Sequence, residues 1–325
     1  PESRRVTVAG QYRLRNETAA PIGEFLLSWD TNNEVTFALE NGRAARRFEA
    51  LSAVLVTLDE PLAPGAERTL EFTVDRRNAG FREREVDNRV VANGTFINNQ
   101  ELLPRIGYDA DQELQDARDR ARRGLDDWAG LADLDDETQY GRTYLGADVH
   151  EVDLDVTVST HVDQTAIAHG RLLRERVDGE SRFFLYRTDR PILNFFTVLS
   201  GDYAVETVVH NDVEIAVYHH PEHDMNVARM IEATRDSLDY FGAEFGPYQY
   251  QHVRIVEFPR YESFAQSFAN TIPYSEDIGF VADLRDADTI DYVYSVTAHE
   301  LAHQWWGHQI APANGNEIRS TWAGP

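Results

Sequence analysis

The chain has 325 residues, of which 56 are acidic and 31 basic, so that its formal net charge at pH 7 is −25. A surface this acidic repels nucleic acid and anionic membranes, which excludes both as partners. The absence of cysteine excludes disulfides and thiolate metal ligands.

Strands dominate the structure predicted for residues 1–209. Apolar residues recur at every second position, which is typical of half-buried strands. The strands with the clearest alternation carry Val6, Val8, Gly10, Tyr12 and Leu14; Leu70, Phe72 and Val74; Val152, Leu154, Val156 and Val158; and Phe184 with Tyr186. One helix is predicted among them at residues 111–128, with a charged, solvated face. This pattern predicts an antiparallel β-saddle or β-sandwich domain.

From residue 210 the predicted elements alternate between strand and helix. Strands are predicted at residues 213–217 and 253–258. The helix between them is expected to begin after a cap at Asp224 and to stop at Gly242. Its apolar stripe consists of Val227, Met230, Ile231, Thr234, Leu238 and Phe241. We therefore predict an α+β fold, with a β-rich domain at 1–209 and the start of a mixed α+β domain at 210–325.

The segment at residues 297–308, T-A-H-E-L-A-H-Q-W-W-G-H, contains the H-E-x-x-H pattern of zinc hydrolases. Residues four apart lie one helical turn above each other, so His299 and His303 can present two imidazoles to one Zn²⁺ ion. Glu300 is then placed to take a proton from water activated by the metal. Apolar residues suit this helix to burial, and Asp288 with Thr289 offers a cap. The pattern predicts His299 and His303 as zinc ligands and Glu300 as the catalytic base.

Four other histidines are weaker candidates for metal binding. His219, His220 and His223 follow a strand and could bind a metal, but such a cluster at the end of a strand is usually solvent-facing. His308 does not have the spacing of a third histidine ligand. We expect it to line the C-terminus of the zinc helix, where the helix dipole favours a partial positive charge.

Residues 299–307 resemble the signature of the membrane alanyl aminopeptidase family of zinc peptidases, which are gluzincins. The segments at residues 93–99, 106–108 and 263–276 are similar to a bacterial branch of that family. In that branch the peptidase-like domain is joined to an ABC-type transporter permease. The resemblance implies a β-saddle domain followed by a thermolysin-like catalytic domain, Zn²⁺ as cofactor and a peptide substrate. It also implies a membrane-associated bacterial parent protein, of which this segment is the soluble part.

The sequence departs from the family pattern at three places. The glutamate that should be the third zinc ligand falls on Trp322 or Ala323, and Glu317 is the nearest acidic residue. Ser267 occupies the position of the glutamate that binds the free amine of the substrate. The tyrosine that stabilises the oxyanion would lie after Pro325. We therefore expect a truncated catalytic domain that is inactive as it stands.

The composition and the ends of the chain lead to two expectations about its source. Every basic residue is arginine. High acid content without lysine indicates adaptation to high salt combined with a GC-rich genome, and the alternative is GC bias alone. The chain has no apolar run of eighteen residues, so no transmembrane helix is expected. It starts without methionine or a signal peptide, so we expect a segment of a longer polypeptide.

Two functions remain open on the sequence. One is a zinc metallopeptidase of the aminopeptidase type. The other is a non-catalytic, peptidase-like extramembrane module that serves binding or assembly in a transporter-linked protein. The intact H-E-x-x-H pattern favours the first function, whereas Ser267 and the missing third ligand favour the second.

Overall fold

The computed structural model describes residues 3–77, 89–107, 114–128, 136–137, 151–286 and 290–310. The strands in these ranges are β1 (Arg5–Arg15), β2 (Ile22–Ser28), β3 (Asn33–Leu39), β4 (Gly42–Phe48), β5 (Ala53–Leu62), β6 (Glu67–Arg77), β7 (Thr95–Asn98), β8 (Arg105–Ile106), β9 (Glu151–Val152), β10 (Asp155–His161), β11 (Thr165–Ile167), β12 (Arg171–Asp178), β13 (Ser181–Arg187), β14 (Ile192–Leu193), β15 (Thr197–Gly201), β16 (Ala204–His210), β17 (Val213–His219), β18 (His252–Phe258) and β19 (Thr271–Ser275). The α-helices are α1 (Asn99–Leu102), α2 (Ala117–Arg122), α3 (Val227–Phe245) and α4 (Tyr292–Ala302). A 3-10 turn at Glu49–Leu51 and a π-helical turn at Glu276–Phe280 are also present.

The chain divides into two compact units, and the described residues of one unit fall within Val6–Arg76 and Gln100–Val149. Two sheets, with strand orders β1-β6-β3 and β4-β5-β2-β8, form this unit. Their facing side chains make one apolar core, in which Leu27, Val54 and Val56 of the second sheet meet Leu70 of the first. Alternate residues of β1 are partly buried along its whole length, as the period of two requires. The predicted β-sandwich is therefore confirmed.

The other unit, whose described residues fall within Pro1–Arg5, Arg77–Asn99 and His150–Ala311, combines sheets with helices. Its main sheet has the order β16-β17-β18-β19, in which β17, β18 and β19 run parallel to one another. Helices α3 and α4 pack together over this sheet, and they bury Met230 and Leu301 against the strand residues Ile215 and Ile255. Smaller sheets with the orders β10-β13-β12, β11-β15-β7 and β14-β9 lie in the same unit. The predicted α+β class is confirmed.

Helix α3 differs from its prediction at both ends. Asn226, rather than Asp224, is the residue before the first helical turn, and the helix continues through Gly242 to Phe245. A glycine inside a helix costs roughly 1 kcal/mol. Here the packing of Phe241 and Phe245 against two tryptophans of the segment after α4 compensates for that cost. The helix ends at Gly246, whose φ of 106° few other residues adopt.

The helix predicted at residues 111–128 is much shorter in the structure. Helix α2 begins after Asp116, whose side chain accepts the Asp119 amide. It ends at Arg122, because Gly124 adopts a φ of +67° that leaves the helical conformation. Residues 111–113 lie outside the described ranges, and residues 123–128 are not helical.

Two further points concern the organisation of the chain. The predicted domain boundary between residues 209 and 210 stays a prediction. In the part of the chain that the structure describes, no helix is both long and apolar enough to cross a membrane.

The acidic, lysine-free composition leads to a prediction about salt. Raising KCl from about 0.1 M to about 2 M is expected to increase the thermal midpoint by roughly 5 °C or more, because salt screens the repulsion among excess carboxylates. Thermal unfolding followed by circular dichroism at each KCl concentration would measure the change. A midpoint that does not respond to KCl would leave genomic base composition as the explanation for the missing lysine.

Candidate metal centre

Helix α4 carries the H-E-x-x-H residues and is held at its start by a charged cap. The Asp291 carboxylate accepts the Tyr294 amide at 2.9 Å, and it also accepts Nε of Arg229 from α3 at 2.7 Å. The predicted cap residues Asp288 and Thr289 lie outside the described ranges. Capping by a carboxylate satisfies one of the free amides of the first turn and stabilises the helix by about 1 kcal/mol.

His299 and His303 lie together at the C-terminal end of α4. Their ring centroids are 4.9 Å apart, and the two rings are nearly perpendicular at 87°. His303 Nδ1 lies 3.1 Å from the Trp306 carbonyl oxygen. A carbonyl oxygen can only accept a hydrogen bond, so Nδ1 carries the proton and Nε2 has the lone pair. Burial lowers the pKa of both imidazoles, which keeps them in the neutral form that binds a metal.

Glu300 follows His299 in α4 and projects into a dry environment. Its side chain is buried, and burial raises the pKa of its carboxyl group to about 7, although the backbone N–H of Ser267 donates to that group. A carboxyl group with such a pKa exists in both protonation states near neutral pH. It can therefore both accept and return a proton.

The side chain of Gln304 joins Ser267 to the end of α4 through hydrogen bonds, and the sequence did not predict this role. Its Nε2 donates to Ser267 Oγ at 2.6 Å and to the Phe268 carbonyl at 2.9 Å, and its Oε1 accepts the Asn270 amide at 2.8 Å. All the hydrogen bonds join segments more than thirty residues apart, so no local pattern could have revealed them. Ser267 is thus held directly beside Glu300, to which its backbone N–H donates.

His308 is neutral in this environment, which corrects the expectation of a partial positive charge. Burial lowers the pKa of His308 to about 4, and its Nε2 lies 3.2 Å from the Ser267 carbonyl oxygen. The loss of hydration on burial therefore outweighs the field of the helix terminus, which acts mainly within the last turn.

The donor chemistry of His299 and His303 fits two of the ligand positions of a zinc site. Both imidazoles are neutral, and the hydrogen bond of His303 to a backbone carbonyl is the usual way to orient a zinc-binding ring. Within the described residues, neither histidine belongs to a group of three or more potential ligands whose donor atoms all lie within 4.8 Å of one another. Glu317, Trp322 and Ala323, where a third ligand was considered, lie outside those residues.

The histidines at the end of β17 are buried or partly buried, contrary to the expectation of a solvent-facing cluster. His219 is only 3% exposed, and its Nδ1 bonds with the His220 carbonyl. His220 and His223 meet two carboxylates, Glu257 and Glu276, and the donor atoms of these four residues lie within 4.8 Å of one another. The carboxylates are distant in sequence, so the histidine cluster alone could not have predicted them.

Comparison with known proteins gives partial similarity to aminopeptidases. No family model matches the chain. Over 81 residues, or 25% of the chain, it is 31% identical to probable aminopeptidase 1 of Sulfurisphaera tokodaii. Over 158 residues, or 48% of the chain, it is 27% identical to endoplasmic reticulum aminopeptidase 2 of Bos taurus. The matched segments span only 10% and 16% of those two proteins. Over part of its length, the chain is therefore similar to enzymes of the aminopeptidase class.

Proposed function

We propose that the chain carries part of the active site of a zinc metallopeptidase of the aminopeptidase type, which hydrolyses peptide bonds near a free N-terminus. The observation that supports this proposal is the end of α4, where two neutral imidazoles adjoin a buried carboxyl group whose pKa is raised to about 7. His299 and His303 would hold Zn²⁺, and Glu300 would act as the general base. The partial similarity to aminopeptidases supports the same assignment.

The residues around α4 have separate parts in this chemistry. When bound, zinc supplies Lewis-acid activation of water and of the substrate carbonyl. Glu300 takes the proton of the attacking water and returns it to the leaving amine, for which a pKa near the working pH is best. The Ser267 amide orients the Glu300 carboxylate, and the Trp306 carbonyl orients the His303 ring.

We propose in addition that this chain does not turn over substrate as it stands. Ser267 offers a neutral hydroxyl, already engaged by Gln304, where the family pattern has a glutamate for the substrate's amine. Trp322 and Ala323 occur at the positions expected for the third zinc ligand. A metal that is held incompletely and a substrate without an amine anchor each lower the rate by orders of magnitude.

The alternative function is a non-catalytic module that retains the peptidase-like fold for binding or assembly, as the extramembrane part of a transporter-linked protein. The observation in its favour is again Ser267, because an aminopeptidase without a carboxylate at that position has no counter-charge for a free amine. On this alternative, peptides bind without being cleaved.

Hydrolysis of aminoacyl-arylamides with added Zn²⁺ tests these proposals. Wild-type protein is expected to release no arylamine above the buffer rate, and the same is expected for Glu300→Gln. Zinc titration of both proteins should show equal binding at α4, whereas His303→Ala should lose it. Wild-type release that Glu300→Gln abolishes would show that the chain is an active enzyme. Zinc binding unchanged by His303→Ala would contradict the ligand assignment at α4.

A further inference from the structure

Four potential metal ligands lie at the carboxyl ends of the parallel strands β17, β18 and β19. His220 is the first residue after β17, Glu257 is the next-to-last residue of β18, and Glu276 is the first residue after β19. The strands are neighbours in one sheet, with Glu257 opposite Tyr274 and Phe258 opposite Ser275. Parallel strands bring their carboxyl ends to the same edge of a sheet, which is where open α/β sheets bind their ligands.

A tight turn adds the fourth donor. His220, Pro221, Glu222 and His223 form a turn that is closed by a 2.9 Å hydrogen bond from the His223 amide to the His220 carbonyl. Proline suits the second position of such a turn, because its φ is already restricted to the required value. The turn places the two imidazoles side by side, with ring centroids 5.6 Å apart, while Glu222 remains exposed.

Glu257 is the centre of the group, and its side chain is completely buried. One carboxylate oxygen accepts the His220 amide at 2.6 Å, and the other contacts His223 Nδ1 and lies 3.5 Å from His220 Nδ1. Among the described residues, the ion-pair partners of Glu257 are these two imidazoles, with no arginine in the set. A buried carboxylate requires a nearby positive charge or several hydrogen bonds.

Glu276 brings a second carboxylate to the same place. Its side chain is 18% exposed, and Arg260 Nε lies 3.7 Å away, beyond hydrogen-bond distance, on a side chain that is 74% exposed. The two carboxylates bring negative charge to the cluster, and an exposed arginine compensates for that charge poorly because it is largely hydrated. A divalent cation between them would neutralise that charge.

We propose that His220, His223, Glu257 and Glu276 form a second metal site, which binds a divalent ion of the zinc type. Two imidazole nitrogens and two carboxylate oxygens offer four ligands of the types that zinc binds, which matches its usual tetrahedral coordination number. The 3.5 Å between His220 Nδ1 and Glu257 Oε1 is close to the roughly 3.4 Å that separates neighbouring ligands of tetrahedral zinc. The ion ties together the ends of three strands.

The surroundings of His220 position its ring. Tyr203 stacks on it at an interplanar angle of 11° and donates its hydroxyl to the Glu257 carbonyl at 3.0 Å. On the other side, Gly94 approaches so closely that a Cβ added to it would lie 2.3 Å from Pro259 and 3.5 Å from His220 Nε2. Residues that orient metal ligands in this way usually contribute to the affinity of the site.

Zinc titration of chelator-treated protein tests the proposal, and the background variant is His299→Ala/His303→Ala, which lacks both α4 imidazoles. That variant is expected to bind one Zn²⁺ and to unfold at a higher temperature when zinc is present. Adding Glu276→Gln should weaken binding at least about tenfold and abolish the thermal shift. Glu222→Gln, in the same turn but outside the ligand group, is the matched control and should change neither.

Co²⁺ provides a second readout, because four-coordinate Co²⁺ absorbs visible light strongly. The background variant is expected to give this absorption, and His223→Ala should remove it. The same comparison of Glu276→Gln with Glu222→Gln is made in the otherwise wild-type protein, in case the background variant does not fold. The proposal is overturned if folded background protein binds no zinc, or if Glu276→Gln binds as tightly as Glu222→Gln. The four side chains would then form a hydrogen-bonded network without a metal.

Discussion

Acidification from pH 6.5 towards pH 3 is expected to destabilise the fold by about 1.4 kcal/mol per pH unit for each buried neutral histidine. Burial lowers the pKa of His169 to about 3, an effect that a hydrogen bond to the Ala269 carbonyl opposes and nearby Arg254 reinforces. Burial, and then Arg254, lowers the pKa of His252 to about 3 as well. At pH values between about 3 and the ordinary histidine pKa of 6.5, these two histidines are protonated in the unfolded chain and neutral in the folded chain. The free energy of unfolding therefore decreases as the pH falls through that window, and the contribution of the two histidines is fully present above it.

The hydrogen bonds of His169 explain why its ring cannot accept a second proton. Nδ1 donates to the Ala269 carbonyl at 2.7 Å, and Nε2 accepts the Thr197 amide at 2.9 Å. If Nε2 were protonated, its N–H group would face the N–H group of Thr197 in a dry site, and neither could accept a hydrogen bond from the other. The neutral tautomer therefore satisfies both neighbours, and the imidazolium satisfies only one.

Urea unfolding of apoprotein at several pH values measures this effect. His169→Gln is expected to show a smaller dependence of unfolding free energy on pH, by about 1.4 kcal/mol per unit between pH 6 and pH 4. His161→Gln, at an exposed position, is the control and should keep the wild-type dependence. Glu300, whose pKa is raised, contributes with the opposite sign between about pH 4.5 and pH 7, but this contribution cancels between variants. Equal slopes for all the proteins would contradict a neutral His169.

Gln304→Leu is expected to lower the free energy of unfolding by about 3 kcal/mol. Gln304 is 1% exposed, and its amide makes hydrogen bonds to Ser267, Phe268 and Asn270. Leucine has a similar size but leaves those partners buried without hydrogen bonds, and each such loss costs about 1–3 kcal/mol. Because the same amide holds Ser267 beside Glu300, the orientation of the carboxylate should loosen as well.

The control for this prediction is Gln309→Leu, at an exposed position five residues later. It is expected to change the stability by less than about 0.5 kcal/mol. Urea unfolding at pH 7 compares both variants with the wild type. If Gln304→Leu were as stable as Gln309→Leu, the hydrogen bonds of Gln304 would not hold the segment at residues 267–270 to α4.

Local patterns were sufficient to predict several strands and the helix that carries the candidate site. The strand period of two placed β1, β6 and β13, because every second side chain faces the core whatever the strand pairs with. The helical period brought His299 and His303 together, because residues four apart are neighbours on any helix. Both results depend on geometry within one element, and the sequence by itself determines that geometry.

Only the tertiary structure decided the electrostatic environment of the site. The raised pKa of Glu300 and the neutral state of His308 arise from burial, which depends on what packs against α4. Helix α3 likewise continues beyond Gly242, where local propensity predicted its end, because its last turn packs against tryptophans.

Long-range pairing decided which residues meet at the ends of the strands. The sequence showed His220 and His223 as a pair, but Glu257 and Glu276 joined them only through the parallel register of β17, β18 and β19. Gln304 reached Ser267 in the same way, across 37 residues. Side-chain periodicity is a property of a few consecutive residues, whereas desolvation and strand register depend on segments far apart in the chain. The sequence therefore determined the residue types and their spacing on α4, and the tertiary structure determined their burial, their supporting contacts and the second cluster.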